Sequence, residues 1–229
     1  MRTVTADDVR FVELDGRVLA ALLAGDLTAA EVPLTDYFLT DRARWVWRYR
    51  LDQIAADPEN ARWMARLAVV VGGGAVDGAG GGVVDGGAVG AGRIRGGAGG
   101  GAGGGGAGGG VVGGGAGGGV VGGGAGGGVV GGGGVVVGHG GFHGPPDESG
   151  MVEIGYAIDP AFRRRGYARA TLVELLRRSA AEPDVRTVRA TISPDNAASL
   201  ATIAGFGFVE VGEQWDDEDG LELIFERPA

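Results

Sequence analysis

The sequence predicts a mixed α/β (α+β) domain, a sheet flanked by helices and interrupted by a low-complexity, glycine-rich loop. Three observations carry that prediction. Val152, Ile154, Tyr156 and Ile158 alternate with Glu153, Gly155 and Ala157, the two-residue period of a half-buried strand. Just after it, Ala168, Leu172, Leu175 and Leu176 recur at helical spacing, so one helix face packs on the sheet. Of the 52 glycines, 42 lie between Gly72 and Gly141, and composition shifts abruptly at both edges of that tract.

Along the chain, residues 9–14 (Val-Arg-Phe-Val-Glu-Leu) read as a first strand and Gly16 to Ala24 as a short helix. Asp41 to Ala56 is a better helix, with Asp41 as its N-cap, Pro58 beyond its end, and Trp45, Tyr49 and Gln53 on one stripe. Residues 62–71 read as a strand that ends at the glycine tract, and residues 135–143 as a strand that leaves it. Residues 83–89 also have hairpin chemistry, and Arg93-Ile94-Arg95 fits a strand, so the sequence leaves open which segment pairs. Within the tract, the nine residues from Val111 to Gly119 recur from Val120 to Gly128. Such a segment loses much backbone entropy on ordering and buries few side chains, so a flexible loop is expected, with short Val-Val strands as the alternative. Loop closure grows only logarithmically with length, so a hairpin carries about 60 extra residues for a few kcal/mol.

The chain has 229 residues, no cysteine, 44% hydrophobic residues and a formal charge of −9, enough for one domain with its own core. No apolar run approaches the ~18–20 residues needed to cross a bilayer, and the first residues lack the apolar stretch of a signal peptide. A cytoplasmic protein is the expectation. Without cysteine there is no disulfide, no thiolate metal site and no cysteinyl acyl intermediate. The acidic balance disfavours nucleic acid and suits a cationic acceptor.

The junction of strand and helix, Asp159-Pro160-Ala161-Phe162-Arg163-Arg164-Arg165-Gly166-Tyr167-Ala168, is the most informative segment. A helix that begins in a glycine-containing loop aims unpaired N–H groups and the positive end of its dipole at whatever lies in front, and an anion fits there. A solvated basic turn is the competing reading. Downstream, the strand of residues 185–192 leads to Ser193-Pro194-Asp195-Asn196-Ala197-Ala198-Ser199-Leu200 and then to Phe206-Gly207-Phe208 and a further strand.

Arg163-x-x-Gly166-x-Ala168 resembles the acyl-CoA-binding signature of the GNAT superfamily, the Gcn5-related N-acetyltransferases. Asn196-x-x-Ser199 followed by Gly207-Phe208 resembles that family's second motif. The surrounding residues look most like the branch containing the ribosomal-protein N-terminal acetyltransferases. The resemblance implies a mixed, mostly antiparallel central sheet in one N-acetyltransferase domain over residues 1–229, with residues 72–134 inserted between its second and third strands. It further implies acetyl-CoA as co-substrate and direct transfer to an amine acceptor, with room for a homodimer and no part for nucleic acid or membrane.

By the same resemblance, backbone groups of Tyr156, Ala157 and Ile158 run along the pantetheine arm, while Arg163, Arg164, Arg165, Gly166, Tyr167 and Ala168 hold the pyrophosphate. Asn196 hydrogen-bonds the arm and Ser199 returns a proton to the sulfur, the alternative being ordinary helix capping by Asp195 or Asn196 with Ser199 as a surface serine. Many relatives use a tyrosine where this chain has Ile203. Glu153 is the first choice for the base that deprotonates the incoming ammonium, against a reading as a solvent-facing strand residue. Asp147, Glu148, Glu213 and Glu222 are the alternatives. Trp45, Trp47, Tyr49, Tyr37 and Phe38 line an acceptor wall or simply fill the core. His139 and His143 lack a third ligand, so no metal is expected. Residues 216–219 read as a solvated hairpin before Gly220. Two other functions compete with the enzyme: an inactive acyl-CoA-binding protein of this fold, and an interaction protein acting through its glycine tract.

Overall fold

The computed structural model describes residues 8–70, 134–217 and 219–229. The glycine-rich stretch with its nine-residue repeat, the hairpin-like residues 83–89 and Arg93-Ile94-Arg95 lie outside the described residues. Strand β1 (Val9–Glu13) leads to helix α1 (Gly16–Ala24), whose first turn is closed by Asp15 accepting from Val18 N at 2.8 Å. Helix α2 (Asp41–Ala56) is capped by Thr40, whose hydroxyl oxygen accepts from Ala43 N. The cap is thus one residue earlier than the sequence reading placed it. Asp41 is already helical, adding favourable negative charge to the first turn.

Strand β2 is Arg66–Val70, shorter than expected. Asp57 caps a 3-10 turn over Pro58–Arg62, which takes the first residue of the expected strand, and residues 63–65 turn irregularly before the ladder begins. Strand β3 (Val135–Phe142) pairs antiparallel with β2, with Val70 opposite Val135. Residues 135–142 are therefore the segment that pairs. The ladder shifts register between Ala68 and Val69, leaving Val137 as the extra residue of a bulge. At Gly141 a Cβ would lie 2.5 Å from the Met64 carbonyl oxygen and 2.9 Å from Ala65 Cα. Only glycine lets β3 pass this close to the neighbouring backbone.

Strand β4 (Met151–Ile158), helix α3 (Tyr167–Ala181), strand β5 (Thr187–Ile192), helix α4 (Ala197–Ile203), strand β6 (Val209–Asp216) and strand β7 (Gly220–Pro228) complete the order. β5 begins two residues later than expected because Arg186 N is drawn to Gly150 O. Among the described residues seven strands form one sheet in the order β1-β2-β3-β4-β5-β7-β6, antiparallel except for the parallel β4–β5 pair. This is the mixed, mostly antiparallel sheet that the sequence led us to expect.

Both faces are covered over part of the sheet. On one, Leu172 and Leu175 of α3 are fully buried with Val152, Ile154, Val188 and Ile192, and Ala168 and Leu176 pack beside them. Each such leucine is worth roughly 1.5–3 kcal/mol of transfer free energy. On the other, α1 and α2 bury Leu19, Leu22 and Trp47 against Leu67, Val69 and Val136. No helix among the described residues is long and apolar enough to cross a membrane.

Candidate active site

β4 and β5 pair only from Met151↔Thr187 to Glu153↔Arg189. Past that point Ile154–Ile158 has no β5 partner, while β5 continues along β7 to Ile192↔Leu223. The sheet therefore opens between two central strands. On its other edge β4 stays paired with β3, and His143 N→Glu153 O (2.8 Å) and Asp159 N→Val137 O (3.0 Å) fix which residues bond that way. By alternation Glu153, Gly155 and Ala157 direct their backbone groups to β3, while Ile154, Tyr156 and Ile158 direct theirs into the opening. Of the three residues assigned to a ligand arm from sequence, Tyr156 and Ile158 have backbone groups facing the opening. Those of Ala157 are used in the β3 ladder.

The basic loop closes one end of the opening. Asp159 accepts from Ala161 N at 2.9 Å and from the Thr35 hydroxyl at 2.6 Å, which pins the start of the loop. Arg163 Nε donates to Ile158 O at 3.2 Å. Arg164 has φ 59° and Gly166, the N-cap of α3, has φ 87°. Two left-handed residues flanking Arg165 curl the backbone into a concavity of the kind that gathers N–H groups around an anion. Gly166 supplies that conformation without strain and makes no side-chain cap, so nothing of its own fills the position in front of the helix. Arg165 lies over the Phe162 ring at 5.8 Å. A non-glycine residue at positive φ is not legible in the sequence, and Arg164 is the point where local reasoning misses the curl.

On the α3 and α4 face, Asn196 Oδ1 accepts from Ser199 N at 3.1 Å, so Asn196 caps α4 as the alternative reading had it. Ser199, which that alternative put at the surface, is instead buried beside the Tyr156 side chain. The Tyr156 hydroxyl is buried without a partner at hydrogen-bonding geometry among the described residues. Burial pushes the phenol well above its usual range, and the nearby Thr202 and Ser199 hydroxyls pull the other way. The sequence offered Tyr156 for its backbone alone. Its side chain is the larger finding, because it brings a phenol to Ser199 from β4 where α4 has Ile203.

The opposite face carries Glu153. The reading of this residue as solvent-facing is corrected: it is 6% exposed. Its Oε1 accepts from the Thr191 hydroxyl at 2.6 Å and lies 3.3 Å from His143 Nδ1. Burial raises its pKa to about 7, opposed first by the Thr191 hydrogen bond and reinforced by Glu222. Behind it, Arg50 Nη1 and Gln53 Nε2 donate to His143 O at 3.0 and 2.8 Å. Burial lowers the Arg50 pKa to about 10, with Tyr49 and Glu153 acting in the other direction. Glu222, 2% exposed, accepts from Gln214 Nε2 at 3.1 Å, and burial raises its pKa too.

Of the four alternative carboxylates only Glu222 joins this cluster. Asp147 is committed to its own turn, accepting from the Ser149 hydroxyl and from Ser149 N and Met151 N, which hold its pKa down. Glu148 and Glu213 are exposed. The two histidines also part. His143 reaches Glu153, whereas His139 is packed 4.8 Å from Trp47 and stacked at 6.3 Å on Tyr37. Burial, with Arg50 and Arg42 adding to it, lowers the His139 pKa to about 3. Among the described residues no group of three metal-ligating side chains is assembled.

The aromatic residues divide in the same way. Trp47 and Phe38 are fully buried core, with Trp47 Nε1 donating to Phe38 O at 2.8 Å. Trp45 and Tyr49 stack at 5.7 Å and stay half-exposed. Arg42 lies over Trp45 and bonds Asp219 at 2.7 Å, tying α2 to the turn between β6 and β7. A floor of Glu153, Thr191 and Glu222 thus lies on the face where α2 and the β6–β7 turn meet.

Residues 123–209 match the family model described as an acetyltransferase (GNAT) domain, a span holding β3, β4, the basic loop, α3, β5 and α4. The uncharacterized N-acetyltransferase YjdG of Bacillus subtilis (strain 168) is 36% identical over 74 residues, covering 32% of this chain and 44% of that protein. The chain therefore spans less than half the length of this curated relative. Among solved structures, Mycobacterium smegmatis RimJ in complex with CoA-disulfide is 24% identical with a TM-score of 0.39, covering 42% of this chain and 48% of that one. RimL, a ribosomal L7/L12 alpha-N-protein acetyltransferase, is 21% identical with a TM-score of 0.37, covering 41% and 63%.

Proposed function

We propose, from the premise that this chain carries a GNAT acetyltransferase domain, that it is an acetyl-CoA-dependent enzyme acetylating a primary amine of a peptide N-terminus or a small molecule. The observation that carries the reading is the opening between β4 and β5, with the curled basic loop at one end and Glu153 beside it. The residues present fit the co-substrate. Left-handed Arg164 and Gly166, with the arginine run, suit a pyrophosphate. The outward backbone groups of Tyr156 and Ile158 suit the amides of an extended arm. Acetyl-CoA supplies the activated acetyl group.

The chain's own residues then hold and move protons. An N–H of β4 facing the opening donates to the carbonyl that develops negative charge. Glu153, with a pKa of about 7, is part ionised near neutral pH and takes the proton that an ammonium must lose before it can attack. Ser199 and Tyr156, on the other face of β4, are placed to supply the proton that a departing thiolate gains. With no cysteine in the chain, attack is direct, with no cysteinyl acyl-enzyme.

Calorimetric titration with acetyl-CoA tests this, beside a Gly166→Glu variant that puts bulk and negative charge in front of α3. Micromolar binding by the parent and none by a folded variant is the expected result. Absence of binding by the folded parent would overturn the proposal. Binding with no turnover across an amine panel would favour the inactive acyl-CoA-binding reading instead.

A further inference from the structure

Thr191 lies on β5 between β4 and β7, and donates from its hydroxyl to Glu153 Oε1 at 2.6 Å. Its pairing with Ile224 puts Glu222, two residues along β7, on the same face of the sheet, and both carboxylates are buried. The positive groups nearby are engaged elsewhere. Arg189 bonds Glu226 with Nε and Nη2 at 2.9 and 2.6 Å, and Arg50 bonds Gln53 and His143 O. His143 faces Glu153 from the end of β3. Glu222 meets Gln214 from β6, and Asp216 and Asp219 of the adjoining turn add negative charge to it. Asp219 is in turn held by Arg42 of α2.

A hydroxyl has one proton to give and two lone pairs with which to accept. Were Glu153 and Glu222 both ionised, Thr191 would satisfy one of them, and two like charges would face each other at 6% and 2% exposure. One proton on the pair resolves both problems. The protonated carboxyl donates to Thr191 Oγ1, and Thr191 donates to the other carboxylate.

We infer that Glu153 and Glu222 hold a single proton between them through Thr191, with Glu222 as the positioning residue that takes this shared proton and so leaves Glu153 ionised to collect the proton of an incoming ammonium. In the transfer, the Glu153 carboxyl proton passes to Thr191 Oγ1 while the Thr191 proton passes to a Glu222 oxygen. Two O–H bonds break and two form, and the charge of the trio is unchanged. The role in catalysis rests on Glu153 being the base, as proposed above, whereas the shared proton does not.

The test needs neither acetyl-CoA nor amine. The full-length chain, labelled with 13C at glutamate side-chain carboxyls, is titrated by NMR, with Glu153→Gln and Glu222→Gln assigning the two resonances. In the parent both carbons should follow the same pair of steps, the mark of a coupled site. In Glu222→Gln the Glu153 midpoint should fall by about one pH unit or more, a tenfold loss of proton affinity, and Glu222→Asp should restore it in part. Independent single-step curves in the parent would overturn the inference even if Glu222→Gln fails to fold. An unmoved Glu153 midpoint in folded Glu222→Gln would do the same. Failure here would leave the acetyl-CoA titration untouched.

Discussion

Replacing Glu153 with glutamine should change how stability depends on pH, and the sign follows from its environment. Burial raises this carboxyl from 4.5 to about 7, so between those values the folded chain holds a proton that the unfolded chain releases. Stability then falls as pH rises through the window, by about 1.4 kcal/mol per pH unit. A displacement from 4.5 to about 7 amounts to about 3 kcal/mol at full extent. His139 works in the opposite direction. Its folded pKa of about 3 lies below the ordinary 6.5, so its contribution falls away as pH drops from about 6.5. The parent's own profile mixes these with Glu222, which burial also raises, but the difference between parent and Glu153→Gln removes His139 and reports the carboxylate pair. Urea unfolding of both proteins from about pH 4 to about pH 8 should give a difference that moves in favour of the variant as pH rises, approaching about 3 kcal/mol, and then levels above pH 7. A constant offset from glutamine packing leaves that slope unaffected. If the difference is flat across the window, Glu153 is an ordinary carboxylate and the account of the floor is wrong.

Three further outcomes are expected. Gly141→Ala should destabilise by about 1–3 kcal/mol or more in thermal or urea denaturation, because the new methyl meets backbone atoms of Met64 and Ala65 that have no room to give. Trp47→Ala should cost about 3–5 kcal/mol by the same assays, since it empties a fully buried site and strips Phe38 O of its donor. A chain in which a short turn replaces residues 72–133 should keep its far-ultraviolet circular dichroism and its affinity for acetyl-CoA, because Val70 and Val135 already face each other in the ladder. Unfolding on that deletion would show that the connecting chain is needed for more than its connection.

How much was legible from the sequence divides along the range of the interactions. Helix α1 and the strand-loop-helix unit around Gly166 were readable because their signals are local: periodicity, a glycine, a run of arginines. Asp41 lost the cap to Thr40 because two neighbouring capping types compete and only backbone geometry decides. The start of β2 slipped from Arg62 to Arg66 because a capped 3-10 turn reads much like a strand edge. Glu153 was found by its position on an alternating strand, but its burial comes from β7, β5 and α2 arriving from far along the chain. Glu222 was one acid among four until β7 settled between β5 and β6. Thr191 carried a faint signal, since it sits two residues past Arg189, which pairs with Glu153, and so shares its face. The Tyr156 hydroxyl carried none.

β4 also imposes a constraint on how this protein can change. Glu153 and Tyr156 lie an odd number of positions apart, with Ile154 and Gly155 between them, so the pleat must send them to opposite sides of the sheet, one toward Thr191 and the other toward Ser199. No single substitution can carry either group across. Drift can retune the two sides independently, and a one-residue insertion or deletion between them would place both on the same side. The Glu153 carboxyl and the Tyr156 phenol are thus kept apart by the parity of the chain rather than by any side chain between them.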